Sequence, residues 1–541
     1  MKNLQETLRR QRLIAFLIPL ILSAPFINRA FFVDDSYFVQ IASWLKDNPT
    51  RPYDFTADDA AIGNHGWEKD GFVRMVNPLA HQYFLAALMK LGGARIWFLR
   101  LGTVLLTGFA AIFVFELARR WTDHPLFAVV LTAAGPPYWL TAHSLLIDST
   151  MGFFFVGALF YFIRCSETGD WSSGALSGLF MGLALLSKYT AALIFPLSAV
   201  WFVMRWKKVP AKAPLILAWV IGLASLLAYS AWTAHLYGRP HILAASSRMV
   251  GHFGWAKVAM LAIFFSGACL APIGGWSGAP RWLIATGVAV GTLLTGLFFS
   301  SVGGFPMAAA ALLGFWIATT LVFLVRLAID APSGVWPRDA FIACWVFGFL
   351  AMMLVVMDWV AVRYYHIVAP AVAIAVVRMF ERRGDGATRR IAWSSLALIA
   401  FTGLLAFSDY RQAEPARRIG ALLHARGVEG GPRHFYLGDS FTMSYLRDDG
   451  WVPAFASTAF QPGDLVLSKE VTMPLVWFVQ KRLPLRTVET FNFPTWFPIK
   501  VMDFRASAGF YASVWGALPF AWSTGPWERF RLYEVQADEK R

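Results

Sequence analysis

The chain is poor in charged residues, because Asp, Glu, Lys and Arg make up 15% of its 541 residues. Soluble globular proteins carry about a quarter, so an ordinary soluble enzyme is excluded. Cysteine is also scarce: Cys165, Cys269 and Cys344 all lie within or beside apolar stretches. None lies in a long hydrophilic region, so the sequence predicts no structural disulfide.

Several common motifs are missing as well. The chain has no Walker-type phosphate loop, no Cys/His metal cluster, no internal repeat and no low-complexity tract. Its formal net charge of +15 would suggest nucleic acid in a soluble domain. In a membrane protein, basic residues gather at the cytoplasmic ends of spans. We therefore expect membrane lipids as partners and no nucleic acid.

Long apolar runs dominate what is present. Hydrophobic residues make up 57% of the chain, and the mean hydropathy is +0.52. Many runs are long enough to cross a hydrocarbon core of about 30 Å. The sequence therefore predicts a polytopic α-helical membrane protein. We assign about thirteen spans: 12–29, 97–118, 125–142, 146–164, 171–187, 190–205, 213–235, 256–272, 282–300, 306–328, 340–357, 361–379 and 390–408.

The placement of basic residues predicts the orientation of these spans. Short loops rich in Lys and Arg alternate with poorer ones, which indicates a cytoplasmic N-terminus. The first run follows Lys2, Arg9, Arg10 and Arg12, and we interpret it as an uncleaved span because no small-residue cleavage site closes it. We expect an integral plasma (inner) membrane protein in which the loop 30–96 and everything after residue 408 lie outside the cytoplasm.

Composition divides the chain into two parts. Residues 1–408 form the predicted transmembrane domain, and the loop 30–96 contains an apolar run, 79–91, that is too short to span and suits an interfacial helix. Residues 409–541 suit a small soluble α/β or α+β domain. Its aromatic stretch 491–498 leaves three alternatives open: docking on the membrane, a carbohydrate site, or packing against the spans.

Ionisable residues recur at the predicted outer ends of the spans. They come from four separate stretches: Asp34 and Asp35, Asp148, Lys188, and Arg363 with Tyr364, Tyr365 and His366. Charge near a membrane is costly and usually functional. Carboxylates and cations at one depth suit a reaction in which a hydroxyl loses a proton and an anionic group departs.

Each of these residues also has a purely structural interpretation. Asp35 suits a solvated loop, and Asp148 suits a helix N-cap. Lys188 and Arg363 suit basic side chains that reach lipid headgroups. His366 suits a hydrogen-bonded structural histidine. The functional hypothesis depends on the common depth of the set and not on any single member.

Four motifs appear in order along the chain: Val33-Asp34-Asp35-Ser36-Tyr37-Phe38, Asn77-Pro78-Leu79 with Leu99-Arg100-Leu101, Gly182 to Thr190, and Arg363-Tyr364-Tyr365 with Pro370. Together they resemble the GT-C superfamily of glycosyltransferases that use a polyprenyl-phosphate sugar. The similarity is to the family-39-like enzymes, which include protein O-mannosyltransferases and aminoarabinose transferases. About thirteen spans and an outer C-terminal domain also suit this superfamily.

The resemblance implies a mechanism. The donor would be a sugar on a polyprenyl phosphate, and the acceptor a hydroxyl of a glycan, lipid or protein. Transfer would invert the anomeric carbon, with Asp34 as general base, Asp35 beside it and Asp148 shaping the site. Lys188 and Arg363 would bind the phosphate.

The chain also departs from the family's pattern. Met75-Val76 stands where aminoarabinose transferases carry a Glu-Lys pair whose Glu is implicated in metal binding. No cofactor is therefore expected, and a divalent metal is not supported. Arg74 and Lys69 are alternative candidates to supply the missing charge.

Two alternatives to a transferase of single sugars stay open. A transporter or flippase for a lipid-linked glycan predicts inverted repeats, broken helices and charges near mid-bilayer. The ionisable residues here crowd one interface, which argues against it. The second alternative is a GT-C-like ligase or polymerase that moves whole glycans. The sequence separates it poorly from a transferase of single sugars.

Overall fold

A computed structural model describes residues 2–55, 75–246, 254–269, 276, 279–302, 307–333, 338–427, 433–454, 458–474 and 483–537. These residues are mostly helical. The helices in chain order are α1 Lys2–Ser23, α2 Asp35–Asp47, α3 Ala80–Gly92, α4 Ile96–Ala118, α5 Pro125–Ala133, α6 Pro136–Ala142, α7 Ile147–Thr168, α8 Trp171–Ser187, α9 Ile194–Arg205, α10 Ala213–Tyr237, α11 His241–Ser246, α12 Trp255–Ala268, α13 Arg281–Val302, α14 Met307–Ser333, α15 Arg338–Val356, α16 Ala369–Glu381, α17 Ala387–Ala425 and α18 Ser440–Met443.

Helices long and apolar enough to cross a membrane number seven among the described residues. They confirm the predicted class of polytopic helical membrane protein, whereas the number thirteen stays a prediction. The seven are Ile96–Ala118, Ile147–Thr168, Tyr189–Lys208, Ala213–Tyr237, Leu313–Ala331, Arg338–Val356 and Ala387–Ala425. Shorter apolar helices cover Trp171–Ser187, Trp255–Ala268 and Arg281–Thr295.

Two predicted spans contain helix breaks. The span predicted at 125–142 divides into α5 and α6, with Pro136 and Pro137 at the start of the second helix. A proline lacks the N–H that a continuing helix needs and is tolerated in the first turn. The span predicted at 361–379 begins with a 3₁₀-helix, Val362–Ile367, before α16. Irregular backbone at such depth is tolerated where protein buries it, and Val362 and Ile367 are buried.

Helix α17 extends beyond its predicted span. It runs without a break from Ala387 to Ala425, although the predicted span ends at residue 408. The change in composition there marks a change of surroundings and not the end of the helix. The single helix therefore connects the spans to the strands that follow.

The C-terminal residues form the predicted strand-containing domain. Its strands are β1 His434–Leu437, β2 Val452–Pro453, β3 Leu465–Lys469, β4 Leu485–Phe493, β5 Ile499–Lys500, β6 Met502–Asp503, β7 Ala508–Gly509, β8 Ala521–Trp522 and β9 Glu528–Val535. Five strands form a mixed sheet in the order β2-β1-β3-β9-β4. β1 is parallel to β2 and β3, whereas β9 is antiparallel to β3 and β4.

This strand domain bonds to two loops at the ends of the helices. The Phe31 N–H donates to the Tyr445 hydroxyl at 2.9 Å, in the loop after α1. The Val362 N–H donates to the carbonyl of Phe510 at 2.9 Å, at the start of the 3₁₀-helix. Asp34 lies three residues after Phe31, and Arg363 directly follows Val362. The domain therefore contacts two of the loops that carry predicted site residues.

Candidate active site

Asp34 is presented by a strained turn. The Asp35 N–H donates to the carbonyl of Phe32 at 3.2 Å, and the Phe32 N–H donates back to Asp35 Oδ2 at 3.3 Å. Between them, Val33 adopts a left-handed φ of 53°. A β-branched residue rarely takes this conformation, which costs on the order of 1–3 kcal/mol and persists where surrounding structure enforces it. The residue beside the predicted base is thus held in an unfavourable conformation.

Asp34 pairs with a cation from a distant stretch of the chain. Its Oδ2 lies 2.7 Å from Arg363 Nη1, and the carboxylate side chain is 38% exposed while that of Arg363 is 12% exposed. This carboxylate is therefore open to an incoming molecule, whereas its partner is largely enclosed.

A second pair forms beside it. Lys188 Nζ lies 2.8 Å from Asp148 Oδ1, and both side chains are buried. Asp148 stands in the first turn of α7 and Lys188 follows α8 in an extended conformation. An acidic side chain suits the positive end of a helix, and the ammonium compensates its burial.

The ring of Tyr364 joins the two pairs. Lys188 Nζ lies 4.2 Å from its centroid, and Arg363 Cζ lies 5.6 Å from the same centroid. Among the described residues, neither Asp148 Oδ2 nor Arg363 Nε has a hydrogen-bond partner although both atoms are buried. Buried polar atoms without partners are costly, so these two atoms are available to a polar ligand.

Asp35 has different surroundings from Asp34, although the two are adjacent. It is fully buried and accepts from Arg100 Nη2 at 3.0 Å and from the Leu145 N–H at 2.8 Å. Arg29 Nη1 lies 3.6 Å from the same carboxylate. These bonds tie the first loop to α4 and to the turn before α7. Asp35 thereby holds the loop and is closed to solvent.

The buried network around Asp35 contains residues to which the sequence assigned no role. Arg29 Nε lies 3.0 Å from Asp409 Oδ2 on α17, and the Tyr511 hydroxyl donates to Asp409 Oδ1 at 2.7 Å. His143 Nε2 lies 3.4 Å from Asp409 Oδ2. Charged side chains are almost never fully buried unless paired. The position of Arg29 at the end of the first predicted span was the available signal, because Arg29 precedes the acidic pair.

His81 fixes the turn that leads to Asp148. Its Nε2 donates to the carbonyl of Leu145 at 2.7 Å, so its Nδ1 accepts from the Thr150 hydroxyl at 2.9 Å. Burial lowers the pKa of His81 to about 4, which keeps the ring neutral near pH 7. The neutral ring therefore links the segments on either side of Asp148.

The remaining predicted residues contact other partners or lie outside the described residues. Tyr365 is buried and donates to the carbonyl of Leu261 at 2.8 Å. His366 stacks on Tyr138 with ring centroids 3.7 Å apart. Arg74 and Lys69 lie outside the described residues. Within the described part of the chain, no group of three or more His, Cys, Asp and Glu is arranged to hold a metal ion.

Part of the candidate site lies in a segment that matches a known protein family. Residues 76–232 match the family model described as dolichyl-phosphate-mannose-protein mannosyltransferase. The resemblance predicted from the sequence is confirmed over this segment. The matched segment contains Asp148 and Lys188, whereas Asp34 and Arg363 lie outside it. No curated protein matches the chain.

The chain is also similar to solved structures at low identity. ArnT from Cupriavidus metallidurans bound to undecaprenyl phosphate has 15% identity, coverage of 100% of this chain and 99% of that chain, and a TM-score of 0.47. The Archaeoglobus fulgidus oligosaccharyltransferase in the apo form has 13% identity, coverage of 76% and 57%, and a TM-score of 0.46. Arabinofuranosyltransferase AftD from Mycobacteria has 13% identity, coverage of 98% and 40%, and a TM-score of 0.39.

Proposed function

We propose that the protein is an inverting glycosyltransferase that moves a sugar from a polyprenyl-phosphate carrier to a hydroxyl acceptor. The observation that carries the proposal is the two neighbouring pairs, Asp34–Arg363 at 2.7 Å and Lys188–Asp148 at 2.8 Å, joined at Tyr364. They combine one accessible carboxylate with two cations beside it. The family match to residues 76–232 supports the same reaction class.

Asp34 acts as the general base in this proposal. It takes the proton of the acceptor hydroxyl while the acceptor oxygen bonds to the anomeric carbon of the sugar. The bond from that carbon to the phosphate oxygen breaks on the opposite face, and polyprenyl phosphate leaves. A positioned base contributes about 10²–10⁴-fold to such a step. The partial exposure of Asp34 supports access by the acceptor.

Arg363 and Lys188 bind the phosphate in this proposal. The Arg363 guanidinium occupies one oxygen of the Asp34 carboxylate, at 2.7 Å. A donor phosphate competes for Arg363, since charge-assisted bonds from arginine to phosphate are strong. Donor binding would thus free Asp34 when the base is needed. Asp148 keeps Lys188 in position.

We further propose that this site lies on the extracytoplasmic side of the inner membrane, as the distribution of basic residues in the sequence predicts. Experiments in cells, and not the site residues, identify the acceptor and the sugar. We therefore place the test in a strain that lacks the protein, where mass spectrometry of glycans and lipids identifies the sugar that is lost.

The test complements that strain with Asp34→Asn and with Asp47→Asn as the matched control. Asp47 ends the same helix, α2, and its side chain is 68% exposed. We expect Asp47→Asn to restore the sugar fully, whereas Asp34→Asn reduces the transfer rate by about 10²-fold or more. Both variants should accumulate as folded protein. Transfer by Asp34→Asn at the wild-type rate would refute the proposed base.

A further inference from the structure

The strand domain extends a short segment in among the apolar helices. Phe520 lies with its ring 5.1 Å from Phe401 of α17 and 5.7 Å from Trp316 of α14. Pro519 packs so closely on Gly267 of α12 that a side-chain carbon there would collide with it. The segment therefore contacts three apolar helices, of which α17 and part of α14 are candidate spans.

The same part of the domain is fixed to α17 nearer its C-terminal end. The Ser408 hydroxyl donates to the carbonyl of Ile499 at 2.8 Å, and the ring of Phe497 lies 5.1 Å from that of Phe407. At 1.5 Å per residue, Phe407 is about 9 Å along the helix from Phe401. The contacts thus define two levels on α17, a deeper one at Phe401 and a shallower one at Phe407 and Ser408.

Two exposed tryptophans stand at the shallower level. Trp522 of β8 is 73% exposed and pairs with Ile499 of β5, whose carbonyl binds Ser408. Trp496 is 89% exposed and lies 6.0 Å, centroid to centroid, from Phe497. Where exposed apolar side chains form a contiguous patch, they mark a surface that meets a protein or a membrane.

Helix α17 indicates what that partner is. Its exposed apolar side chains include Trp393, Leu396, Leu404 and Phe407, and this spacing puts them on one face. On a candidate span such a face meets lipid. Phe497 packs on Phe407 at the end of that face, Trp496 neighbours Phe497, and Trp522 pairs with Ile499. Both tryptophans are therefore close in structure to residues that contact the end of the face that meets hydrocarbon.

We infer that Trp496 and Trp522 insert into the boundary between headgroups and acyl chains, in the leaflet on the side of the strand domain. Tryptophan concentrates at this depth because its indole is apolar over most of its area and carries one polar N–H. The inserted pair would hold the strand domain at a fixed height over the bilayer. This inference concerns the domain and the lipid, and it stands independently of the proposed reaction.

The test measures the depth of single nitroxide labels in vesicles of phosphatidylethanolamine and phosphatidylglycerol. Cys165 and Cys269 are buried, so replacing the half-buried Cys344 by alanine leaves a background without an accessible thiol. Trp496→Cys and Trp522→Cys are then labelled separately in the full chain, and each variant keeps the other tryptophan. Val488→Cys is the control, since Val488 is 50% exposed on β4.

Electron paramagnetic resonance compares collisions of each label with oxygen, which concentrates in the bilayer, and with a water-soluble nickel complex. We expect labels at 496 and 522 to meet oxygen more than nickel, and the label at 488 to show the reverse. Water-like accessibility at 496 and 522 would overturn the inference and favour a glycan or protein partner for the pair. Lipid-like accessibility at all three positions would also overturn it, because the whole domain would then be immersed.

Discussion

At the scale of single residues, two adjacent aspartates have separate tasks. Asp34 is partly exposed and pairs with Arg363, whereas Asp35 is fully enclosed between Arg29 and Arg100. Asp35 is the first residue of α2, and Asp34 directly precedes the helix. The burial of Asp35 is compensated by two guanidinium groups, which in turn depend on it and on Asp409. A change at either aspartate should therefore affect a different property of the protein.

We predict that Asp35→Asn destabilises the protein whereas Asp34→Asn does not. Removing one member of a buried ion network leaves an uncompensated charge, which costs about 3–5 kcal/mol. The pair at Asp34 is partly exposed, so its loss should cost about 1 kcal/mol or less. Thermal unfolding of the purified variants in detergent measures both effects. Equal unfolding temperatures for the two variants would contradict this division.

At the scale of elements, the position of Lys188 depends on how α8 packs. Gly174, Gly178 and Gly182 recur every four residues on α8 and face α10, where close approach of backbones is required. A side-chain carbon at Gly178 would lie 2.7 Å from the carbonyl oxygen of Ala218. Small residues at this spacing allow membrane helices to pack closely. Because Lys188 directly follows α8, a shift of the helix moves the cation.

We predict that Gly178→Ala lowers both stability and transfer. The added methyl group forces α8 and α10 apart, and overpacking of this kind costs about 1–3 kcal/mol. The matched control is Gly403→Ala on α17, where a side-chain carbon would meet Trp139 at an ordinary 3.5 Å. Unfolding temperature and sugar transfer should fall for Gly178→Ala and stay unchanged for Gly403→Ala. A fall of the same size in both variants would mean that close helix packing at Gly178 is unimportant.

At the scale of the whole molecule, the strand domain is bonded to the two loops that carry Asp34 and Arg363. Tyr511 reaches Arg29 through Asp409, and Tyr445 accepts from the Phe31 N–H. Ser513 exchanges bonds with Val360 on the other loop, at 2.7 Å and 3.0 Å. The bonds at Tyr445 and Ser513 reach within three residues of Asp34 and Arg363. The domain therefore contributes to the geometry of a site whose charged residues it does not supply.

The sequence predicted which charged residues form the candidate site better than it predicted which of them pair. We expected the charged residues at one depth because each follows or precedes an apolar run, and apolar runs are visible in the sequence. These residues are Asp34, Asp148, Lys188 and Arg363. The pairing of carboxylates with cations depends on how the helices pack. It joins residues as far apart in the sequence as Asp34 and Arg363. The same holds for the bond of Arg29 with Asp409. Composition likewise marked a boundary at residue 408, although α17 continues through it.

We predict that the hydroxyls of Tyr511 and Tyr445 act together on the first loop. Tyr511 bonds to the charged Asp409, and such a bond contributes about 1.5–3 kcal/mol, whereas the bond of Tyr445 to the Phe31 N–H is neutral and contributes about 0.5–1.5 kcal/mol. Tyr511→Phe and Tyr445→Phe should therefore each lower the unfolding temperature. Because both hydroxyls support the segment from Arg29 to Phe31, the double variant should show a coupling of about 0.5–3 kcal/mol. Displacement of the loop by about 1 Å would cost up to about 10²-fold in transfer.

Tyr436→Phe provides the control for this double-mutant cycle. Tyr436 is buried and its hydroxyl bonds to Asp439 within the strand domain. Its loss should lower stability without coupling to Tyr445→Phe, because the two hydroxyls support different segments. If the effects of Tyr511→Phe and Tyr445→Phe are additive and transfer is unchanged in both, the strand domain does not position the site. Coupling confined to the first pair would instead make the strand domain part of the structure that positions Asp34.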